Sequence, residues 1–499
     1  MLSRVLFWMA LQTPFLPNFP HLLQGKAKPS QASVLAKGID HLRHLSLPDL
    51  SGLLGPLFPQ NFFATAPDSK PKRESIYTPI TLFWAFLFQV LNPGMACQGV
   101  VAKVRAWLIT RPLNPKRPAL GTSAFCEARG ALSMKFVQAA CDALRSKLTQ
   151  QAPSVWLWCG HEVKVLDGTS VSMPDTFENQ QRWPQPPAQK PGCGFPVASM
   201  LGVFCLSTGA WLGHVLSKWS SHDLSLWRQV SSLLHKGDVL LGDAGLCAWT
   251  LMAELKARGV DTVFRLHQAR PKDLSQGHKL GPNECLQIWR KPKHRPAKCP
   301  WSAEQWEALP EQLEVRIIKV PIVRKGFRTQ CVWIATTLTD PSRYSVEQIA
   351  ELYYRRWSIE LFFRDIKTTM KMDILRCKTP AMVEKEICLH ACAYNAIRLL
   401  ILQSAMEHQS ELGRISFKGA LDVLREWLPR AAEFANKPRK LAQWRDELLE
   451  AIASVTNPHR PERREPRAKK RRPKTHQLLT KPRHEFQEIP HRDKYRKAA

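Results

Sequence analysis

Apolar positions in the first third of the chain recur at the spacing of an α-helix. Residues 77–90 form an apolar, aromatic-rich run, and residues 123–148 show helical spacing that begins at Ser123, a residue type that caps helices. Basic, proline-containing connectors at 70–73 and 111–117 separate these runs. The pattern predicts an α-helical N-terminal domain over residues 1–154.

At residue 155 the pattern changes to short strands that alternate with helices, which is typical of a mixed α/β sheet. Strands are predicted over 161–167, 197–205, 210–216, 238–241 and 262–267, and helices over 223–234 and 248–258. A polar, proline- and glutamine-rich loop is predicted over 177–194.

Beyond residue 267 the alternation stops, and the strand-like segments 313–321 and 329–338 predict a β-rich insertion over about 268–340. Helices are then predicted over 345–370, 380–405, 417–428 and 441–454. The prediction is therefore one α/β domain over 155–405, a helical C-terminal region over 406–456, and a tail over 457–499. The tail is proline-containing and basic, and we expect it to be disordered until it binds a partner.

Length and charge narrow the class of protein. A chain of 499 residues is too long for one hydrophobic core, and its 44% hydrophobic and 23% charged residues suit globular domains. The 72 Lys and Arg exceed the 42 Asp and Glu, which leaves a net charge of +30. Only +10 of that lies in residues 460–497, so the body of the protein is basic too. This surplus favours a polyanionic partner: DNA, RNA or an anionic membrane surface.

The sequence favours a soluble, cytoplasmic protein over one in a membrane. The 13 cysteines are scattered and odd in number, which suits a reducing compartment. Residues 5–11 resemble a signal peptide faintly but lack a small-residue cleavage site, and the apolar run 387–405 is interrupted by polar residues. Cys388, His390 and Cys392 in that run are either buried groups or zinc ligands.

One face of the predicted helix 345–370 carries a single carboxylate among polar and cationic side chains. At about 100° per residue, Tyr353, Arg356, Glu360 and Lys367 fall within roughly 60° of one another. A solvated face with an ion pair between Arg356 and Glu360 would produce the same spacing. The helix alone therefore leaves a structural and a functional interpretation open.

Two aspartates follow apolar strand-like segments. Asp167 ends VKVLD and Asp243 ends VLLGD, and each precedes a glycine or an Ala-Gly pair. Taken singly, each suits a turn. Taken together, two strands of one sheet each deliver a carboxylate near the carboxyl end, where a helix could bring Glu360 to them. Three converging carboxylates repel one another unless they share cations, which points to a metal site.

The helix also carries the pattern Y-x2-R-x3-E-x6-K, and here the chain resembles a known family. All four residues and all three spacings match the signature of the DDE transposases of bacterial insertion sequences, in the IS-four family. VLDGTSV and LLGDAGL resemble the two aspartate blocks of that family, and a β-rich insertion before the glutamate is its layout. The resemblance covers about residues 155–405. Leu246 departs from it, because the family often has an aromatic residue there.

The resemblance implies a ribonuclease-H-like fold in which Asp167, Asp243 and Glu360 hold two Mg²⁺ ions, for which Mn²⁺ can substitute. These metals would drive hydrolysis and strand transfer at phosphorus during cut-and-paste transposition. Tyr353, Arg356 and Lys367 would grip DNA phosphates. The implied partners are double-stranded terminal inverted repeats and target DNA, bound by a homodimer in a synaptic complex.

Other basic and aromatic residues have two interpretations each. Trp333, in the strand VWIATTL, is either a stacking platform for a flipped base, as in some relatives that form a DNA hairpin, or a core tryptophan. Arg265 and His267 either contact DNA or are structural. The basic segments 290–298 and 467–474 either bind the DNA backbone or are solvated. The frontal helices could read the terminal repeats, although they contain no convincing helix-turn-helix.

Three functions fit the sequence: an active cut-and-paste transposase, another nuclease on the same fold, or a catalytically inactive or domesticated DNA-binding relative. Arg356 and Lys367 favour the first over the second, because a generic nuclease does not need the whole pattern. The intact carboxylate triad argues against the third.

Overall fold

The computed structural model describes residues 47–65, 76–109, 119–190, 192–219, 223–295, 301–322, 331–434, 437–458, 481–482 and 485–486. The signal-like segment 5–11, the connector 111–117 and the basic segment 467–474 lie outside these ranges, as does most of the predicted tail. The chain begins, in the described part, with helices and continues into one large mixed sheet.

The sheet has nine strands, which follow the predicted alternation closely. They are β1 (Val163–Ser172), β2 (Val197–Cys205), β3 (Trp211–Lys218), β4 (Val239–Gly242), β5 (Asp261–Arg265), β6 (His278–Gly281), β7 (Glu284–Arg290), β8 (Gln312–Pro321) and β9 (Cys331–Thr336). Their spatial order is β3-β2-β1-β4-β5-β9-β8-β7-β6. Strands β1, β4 and β5 are parallel neighbours, while β2 runs antiparallel to both β1 and β3.

The strands of the predicted insertion continue this sheet. Strand β9 pairs antiparallel with β5, and β8, β7 and β6 follow outwards in antiparallel order. The segment between β5 and β9 therefore widens the sheet on the side of β5, next to the strand ends that carry Asp243 and Arg265.

Fourteen α-helices lie in the described residues. They are α1 (Pro48–Leu54), α2 (Pro79–Leu91), α3 (Cys97–Ile109), α4 (Ser123–Ala131), α5 (Met134–Gln151), α6 (Phe177–Arg182), α7 (Asp223–Leu226), α8 (Trp249–Ala257), α9 (Ala303–Glu307), α10 (Val346–Arg355), α11 (Ser358–Arg364), α12 (Pro380–Glu407), α13 (Phe417–Ala431) and α14 (Pro438–Ser454). A short helix, α6, thus occupies part of the predicted loop 177–194.

Two helices predicted as continuous are broken, and both predictions were wrong in that respect. The run 123–148 divides at Ser133, whose side chain accepts a hydrogen bond from the Phe136 amide and so caps α5, while Ser123 is the first residue of α4 and not its cap. The run 345–370 divides into α10, α11 and a π-helical turn, Asp365–Thr369.

The core is continuous between the helices and the sheet. Helix α12 packs against α5 and α2 on one side and α14 and α13 on another, and buried residues of all these elements join one hydrophobic cluster with the strands. By length and composition α12 is the one described helix that could cross a membrane, but 94% of its most apolar window is buried inside the protein. A helix that is buried to this extent is a core helix.

Candidate active site

The two aspartates lie level with each other on neighbouring parallel strands. Val165 of β1 pairs with Leu241 of β4, and Asp167 and Asp243 each follow two residues later. Because alternate residues of a strand share one face, both carboxylates leave the same side of the sheet at the same height. The two residues therefore lie on strands of one sheet, as predicted, and these strands are also adjacent.

One detail of that prediction was wrong: Asp167 does not end its strand. Strand β1 continues to Ser172, because its antiparallel pairing with β2 extends past the end of β4, and Asp167 pairs there with Gly202. Asp243 does follow the end of β4, where its Oδ1 accepts a hydrogen bond from the Gly245 amide at 2.8 Å. The amide of Gly168 donates to Asp167 Oδ1 in the same way, at 2.8 Å.

The four signature residues lie on the segment 346–369, which we call the signature segment. Its helical turns first become tighter than those of an α-helix and then wider. The amides of Arg356 and Glu360 donate to carbonyls only three residues back, those of Tyr353 and Trp357, at 3.1 Å each. Lys367 lies in the π-helical turn that follows α11. A turn closed over three residues and a turn closed over five rotate side chains in opposite senses, so Glu360 and Lys367 still face the sheet.

Arg356 joins two of the three carboxylates. Its guanidinium lies 3.5 Å from Asp167 Oδ2 and 3.6 Å from Glu360 Oε1. The strand and the signature segment are therefore held together at the site by one cation between two anions, which offsets their mutual repulsion. The ion pair between Arg356 and Glu360 that the spacing predicted is present, and it shares its arginine with Asp167.

Tyr353 connects this cluster to Asp243. Burial raises the pKa of the Tyr353 phenol; the nearby Arg356 and Arg265 oppose that rise, and the Asp243 carboxylate adds to it. Arg265 ends β5, beside Asp243 at the end of β4. The phenol of Tyr353 thus lies near Arg356, Arg265 and Asp243, and Arg265 joins the residues around the site.

Lys367 reaches the same strand as Asp167, since its ammonium donates to Thr169 Oγ1 at 3.0 Å. The turn that carries it is anchored from behind by Asp365, whose Oδ2 accepts from Arg398 Nη2 of α12 at 3.0 Å. Thr169 and Asp365 were not identified from the sequence. Thr169 lies two residues after Asp167, on the same face of β1, and that period is the signal that could have found it.

The donor set suits a hard divalent cation, because all three carboxylates offer oxygen ligands. In the described part of the chain, however, no three carboxylate, imidazole or thiol groups are close enough to share an ion. Arg356 lies between Asp167 and Glu360. The structure therefore brings the predicted residues to one side of the sheet but does not close them into a metal site.

Two tryptophans near the site differ in exposure. Trp333 of β9 is only 9% exposed and belongs to the hydrophobic cluster, with the Lys319 ammonium 5.8 Å from its ring centroid. Trp357, between Arg356 and Glu360, is 59% exposed. A large exposed ring such as that of Trp357 is suited to stacking. Its position next to Arg356 in the sequence is the signal that could have identified it.

The predicted zinc alternative in α12 is not supported within the described residues. His390 lines a different cavity from Cys388, and Cys388 and Cys392 face Cys141 of α5 across distances of 3.2 and 2.7 Å to its sulfur. All twelve described cysteines are free.

Comparison with known proteins agrees with this geometry. Residues 158–396 match the family Transposase DDE domain. The chain is 25% identical over 373 residues to the transposase InsG for insertion sequence element IS4 of Escherichia coli K12, which covers 72% of this chain and 79% of that one. It is 40% identical over 53 residues to the transposase for insertion sequence element IS421 of Escherichia coli, which covers 11% and 14%.

Among solved structures, the chain is similar to a chain of a piggyBac transposase synaptic complex with hairpin DNA. The TM-score is 0.42 at 9% identity, with 84% of this chain and 87% of that chain covered.

Residues 158–396 span β1 to most of α12 and include Asp167, Asp243 and the whole signature segment. They form a transposase DDE domain. The chain thus carries a transposase DDE domain and is similar over 72% of its length to an IS4 transposase.

Proposed function

We propose that this transposase carries out cut-and-paste transposition of its own insertion sequence, with Asp167, Asp243 and Glu360 as the catalytic carboxylates. The observation that supports this most is the level placement of Asp167 and Asp243 on parallel strands, with Glu360 tied to Asp167 through Arg356. The three carboxylates would hold two Mg²⁺ ions, with Mn²⁺ as a substitute. The metal supplies activation of water or of a DNA 3′-hydroxyl and stabilises the leaving oxygen.

The same function predicts a ribonuclease-H-like fold for β1 to β5. Their order β3-β2-β1-β4-β5, with β2 alone antiparallel among the five, supports that assignment. In such a sheet the first and fourth strands are adjacent, and they deliver the two aspartates to one side.

Arg356 has two roles in this proposal. In the protein alone it neutralises Asp167 and Glu360; with metal and DNA bound it turns to a phosphate near the cut, where a guanidinium can donate two parallel hydrogen bonds. Lys367 and Tyr353 bind the same backbone, Lys367 from its position against β1 and Tyr353 from its position beside Asp243.

The partners follow from the reaction. The basic chain binds double-stranded terminal inverted repeats and target DNA, and two copies pair the two ends in a synaptic homodimer, in the cytoplasm. Trp333 remains a predicted stacking residue for a flipped base, although its ring must first be uncovered. Trp357 is a second candidate that already exposes its ring.

The test is excision in vitro. Purified full-length protein is incubated with Mg²⁺ and DNA that carries its element's own ends, beside Asp167→Asn, Asp243→Asn and Glu360→Gln. We expect cleavage by the wild type, a loss of roughly 10³-fold or more in each variant, and unchanged binding of the ends. Asp373→Asn is the matched control, because this carboxylate lies after the signature segment and outside the cluster. A variant of the triad that cuts like the wild type removes that residue from the site.

A further inference from the structure

A small cavity lies where the N-terminal helices meet the end of the signature segment. It has a volume of about 30 Å³ and is lined by residues of α2, α4 and α12 and by the chain between the π-helical turn and α12, among them Arg129, Lys371, Arg376, Glu386 and His390. Three cations and one carboxylate leave the cavity with a surplus of positive charge.

The carboxylate of Glu386 is already satisfied. It accepts hydrogen bonds from the backbone amides of Arg376 and Cys377, at distances from 2.9 to 3.1 Å. Its single negative charge does not balance the three cations that line the cavity.

Two buried nitrogens at this cavity have no partner among the described residues. They are Nε of Arg129 and Nδ1 of His390, and the His390 side chain is only 5% exposed. Buried polar atoms in folded proteins nearly always have a hydrogen-bond partner, so each points to a group that the protein alone does not supply. The volume accepts one or two groups the size of water, which suits a single anionic oxygen entering from outside.

Lys371, at the mouth, holds a backbone conformation that its residue type disfavours. Its φ is +55°, and it follows Met370 at the end of the helical segment, where the Met372 amide donates back to the Ile366 carbonyl. This left-handed position after a helix is usually glycine, since a Cβ atom is strained there. Lys371 is exposed and lines the cationic cavity, so its ammonium is available to a group bound there.

The cavity is joined to the active site by β1. The amide of Ser172, at the end of that strand, donates a hydrogen bond to the Asp373 carbonyl at 3.0 Å. The Ser172 carbonyl accepts a hydrogen bond from the Leu375 amide at 2.8 Å. Ser172 lies five residues beyond Asp167, which at the rise of a strand is about 17 Å. The chain between Lys371 and Arg376 is thus fixed at a set distance from the site.

We propose that Lys371, Arg376 and Arg129, with His390, form a phosphate subsite that binds one backbone phosphate of the transposon-end DNA to the side of the cleaved bond. One phosphate oxygen enters the cavity, and the Lys371 ammonium and Arg376 guanidinium contact the others. The subsite rests on the proposed function, because it assigns a part of the same DNA.

Lys371→Gly makes a sharp test, because glycine relieves the strained backbone while it removes the ammonium. Binding of a duplex that carries the element's terminal repeat is followed by fluorescence anisotropy over a series of NaCl concentrations, without divalent metal. We expect the slope of log K against log [NaCl] to fall by about 0.9, the affinity at 0.1 M NaCl to fall roughly eightfold, and the melting temperature to stay equal or rise.

Two controls separate charge from backbone effects. Gln409 lies just after the end of α12 and has the same left-handed backbone conformation as Lys371, with φ +50°. Gln409→Gly makes the same backbone change without removing a charge, and should leave DNA binding unchanged. Lys378→Ala removes an exposed cation seven residues away that does not line the cavity, and should change affinity less. Unchanged slope and affinity in Lys371→Gly, or an equal effect in Lys378→Ala, overturns the proposal.

A second measurement locates the phosphate. Ethylation of single phosphates should interfere with wild-type binding at one phosphate away from the cut, and Lys371→Gly should lose the interference at that phosphate alone. If inorganic phosphate instead raises the melting temperature of the wild type but not of Lys371→Gly, with no interference on DNA, the site takes free phosphate and the DNA assignment is wrong. Both experiments measure binding in the absence of divalent metal, so they can be interpreted even if the protein does not cleave DNA.

Discussion

Two arginine–carboxylate contacts of the signature segment differ in burial, since one is exposed and the other is buried. The difference in burial suits the exposed contact to binding and the buried contact to stabilising the fold. At the front, Arg356 joins Glu360 and Asp167 at 3.5 to 3.6 Å, with side chains 19%, 41% and 24% exposed. At the rear, Arg398 binds Asp365 at 3.0 Å, with both side chains at most 10% exposed. The chemistry of the two contacts is the same, but only the front one is open to a substrate.

The rear pair is also surrounded by aromatic rings. The Arg398 guanidinium lies 5.0 to 5.2 Å from the rings of Phe362, Tyr394 and Phe417, and its Nε donates to the Tyr394 hydroxyl at 2.9 Å. That hydroxyl donates to the Gly209 carbonyl. The signature segment thus has a longer, more exposed ion contact at the proposed site and a shorter, buried one where it packs against α12.

The largest effect is expected from breaking the rear pair. Arg398→Ala leaves the buried Asp365 carboxylate with the exposed Arg364, 3.7 Å away, in place of its buried partner, and should lower the free energy of unfolding by about 3–5 kcal/mol. The double variant Asp365→Leu with Arg398→Met removes both charges and should cost less than either single change. Urea unfolding followed by circular dichroism measures all three, and strictly additive losses would show that the two residues do not act as a pair.

Trp333 and Trp357 give the next comparison. Trp333→Ala removes a buried ring and should cost about 3–5 kcal/mol of stability, while Trp357→Ala should change stability by less than about 0.5 kcal/mol and weaken binding of transposon ends. Thermal unfolding and end binding are measured on both. If Trp333→Ala stays folded and nicks the first strand but forms hairpins poorly, its ring stacks on DNA as the sequence comparison suggested.

Acid should destabilise the protein through His390, which is buried in α12. Burial lowers the pKa of His390 to about 3, below its ordinary 6.5, so the unfolded chain binds a proton more tightly than the folded one. Stability from this group is complete above pH 6.5 and is lost as pH falls towards 3, by about 4 kcal/mol at the lower end. His390→Gln should flatten that part of the pH–stability curve; an unchanged curve assigns the acid lability to other groups.

The smallest effect on stability is expected at the front pair. Glu360→Gln removes half of an exposed contact and should alter the free energy of unfolding by less than about 0.5 kcal/mol, while it abolishes cleavage. Differential scanning calorimetry beside the excision assay tests this separation. A loss of several kcal/mol would place Glu360 among the residues that hold the fold.

Much of the fold follows from the sequence, because strands and helices of different period alternate in it. The strands around Asp167, Asp243 and Arg265 and the long helix α12 lie within a few residues of their predicted bounds. The end of β1 could not be predicted, since it depends on pairing with β2, which is distant in sequence.

The site was harder to predict in its details. No Gly or Pro marks the tight turn at Arg356, and no residue type specifies the π-helical turn at Lys367, so the helix was expected to be straight. The left-handed backbone conformation of Lys371 could not be predicted for a related reason, because glycine is the residue that usually marks such a position. The four signature residues nevertheless lie on one face, as their spacing predicted.

The central claim, that Asp167, Asp243 and Glu360 are metal ligands, is tested most directly by changing the ligand type at one of them. Asp243→Cys replaces a hard oxygen donor with a sulfur, which binds Mg²⁺ poorly and softer cations better. We expect this variant to lose cleavage of transposon ends with Mg²⁺ and to regain it with Mn²⁺, while the wild type cuts with both. Cleavage with Mg²⁺ at the wild-type rate, or an unchanged deficit in Mn²⁺ while Asp373→Cys behaves as wild type, would contradict metal binding by Asp243.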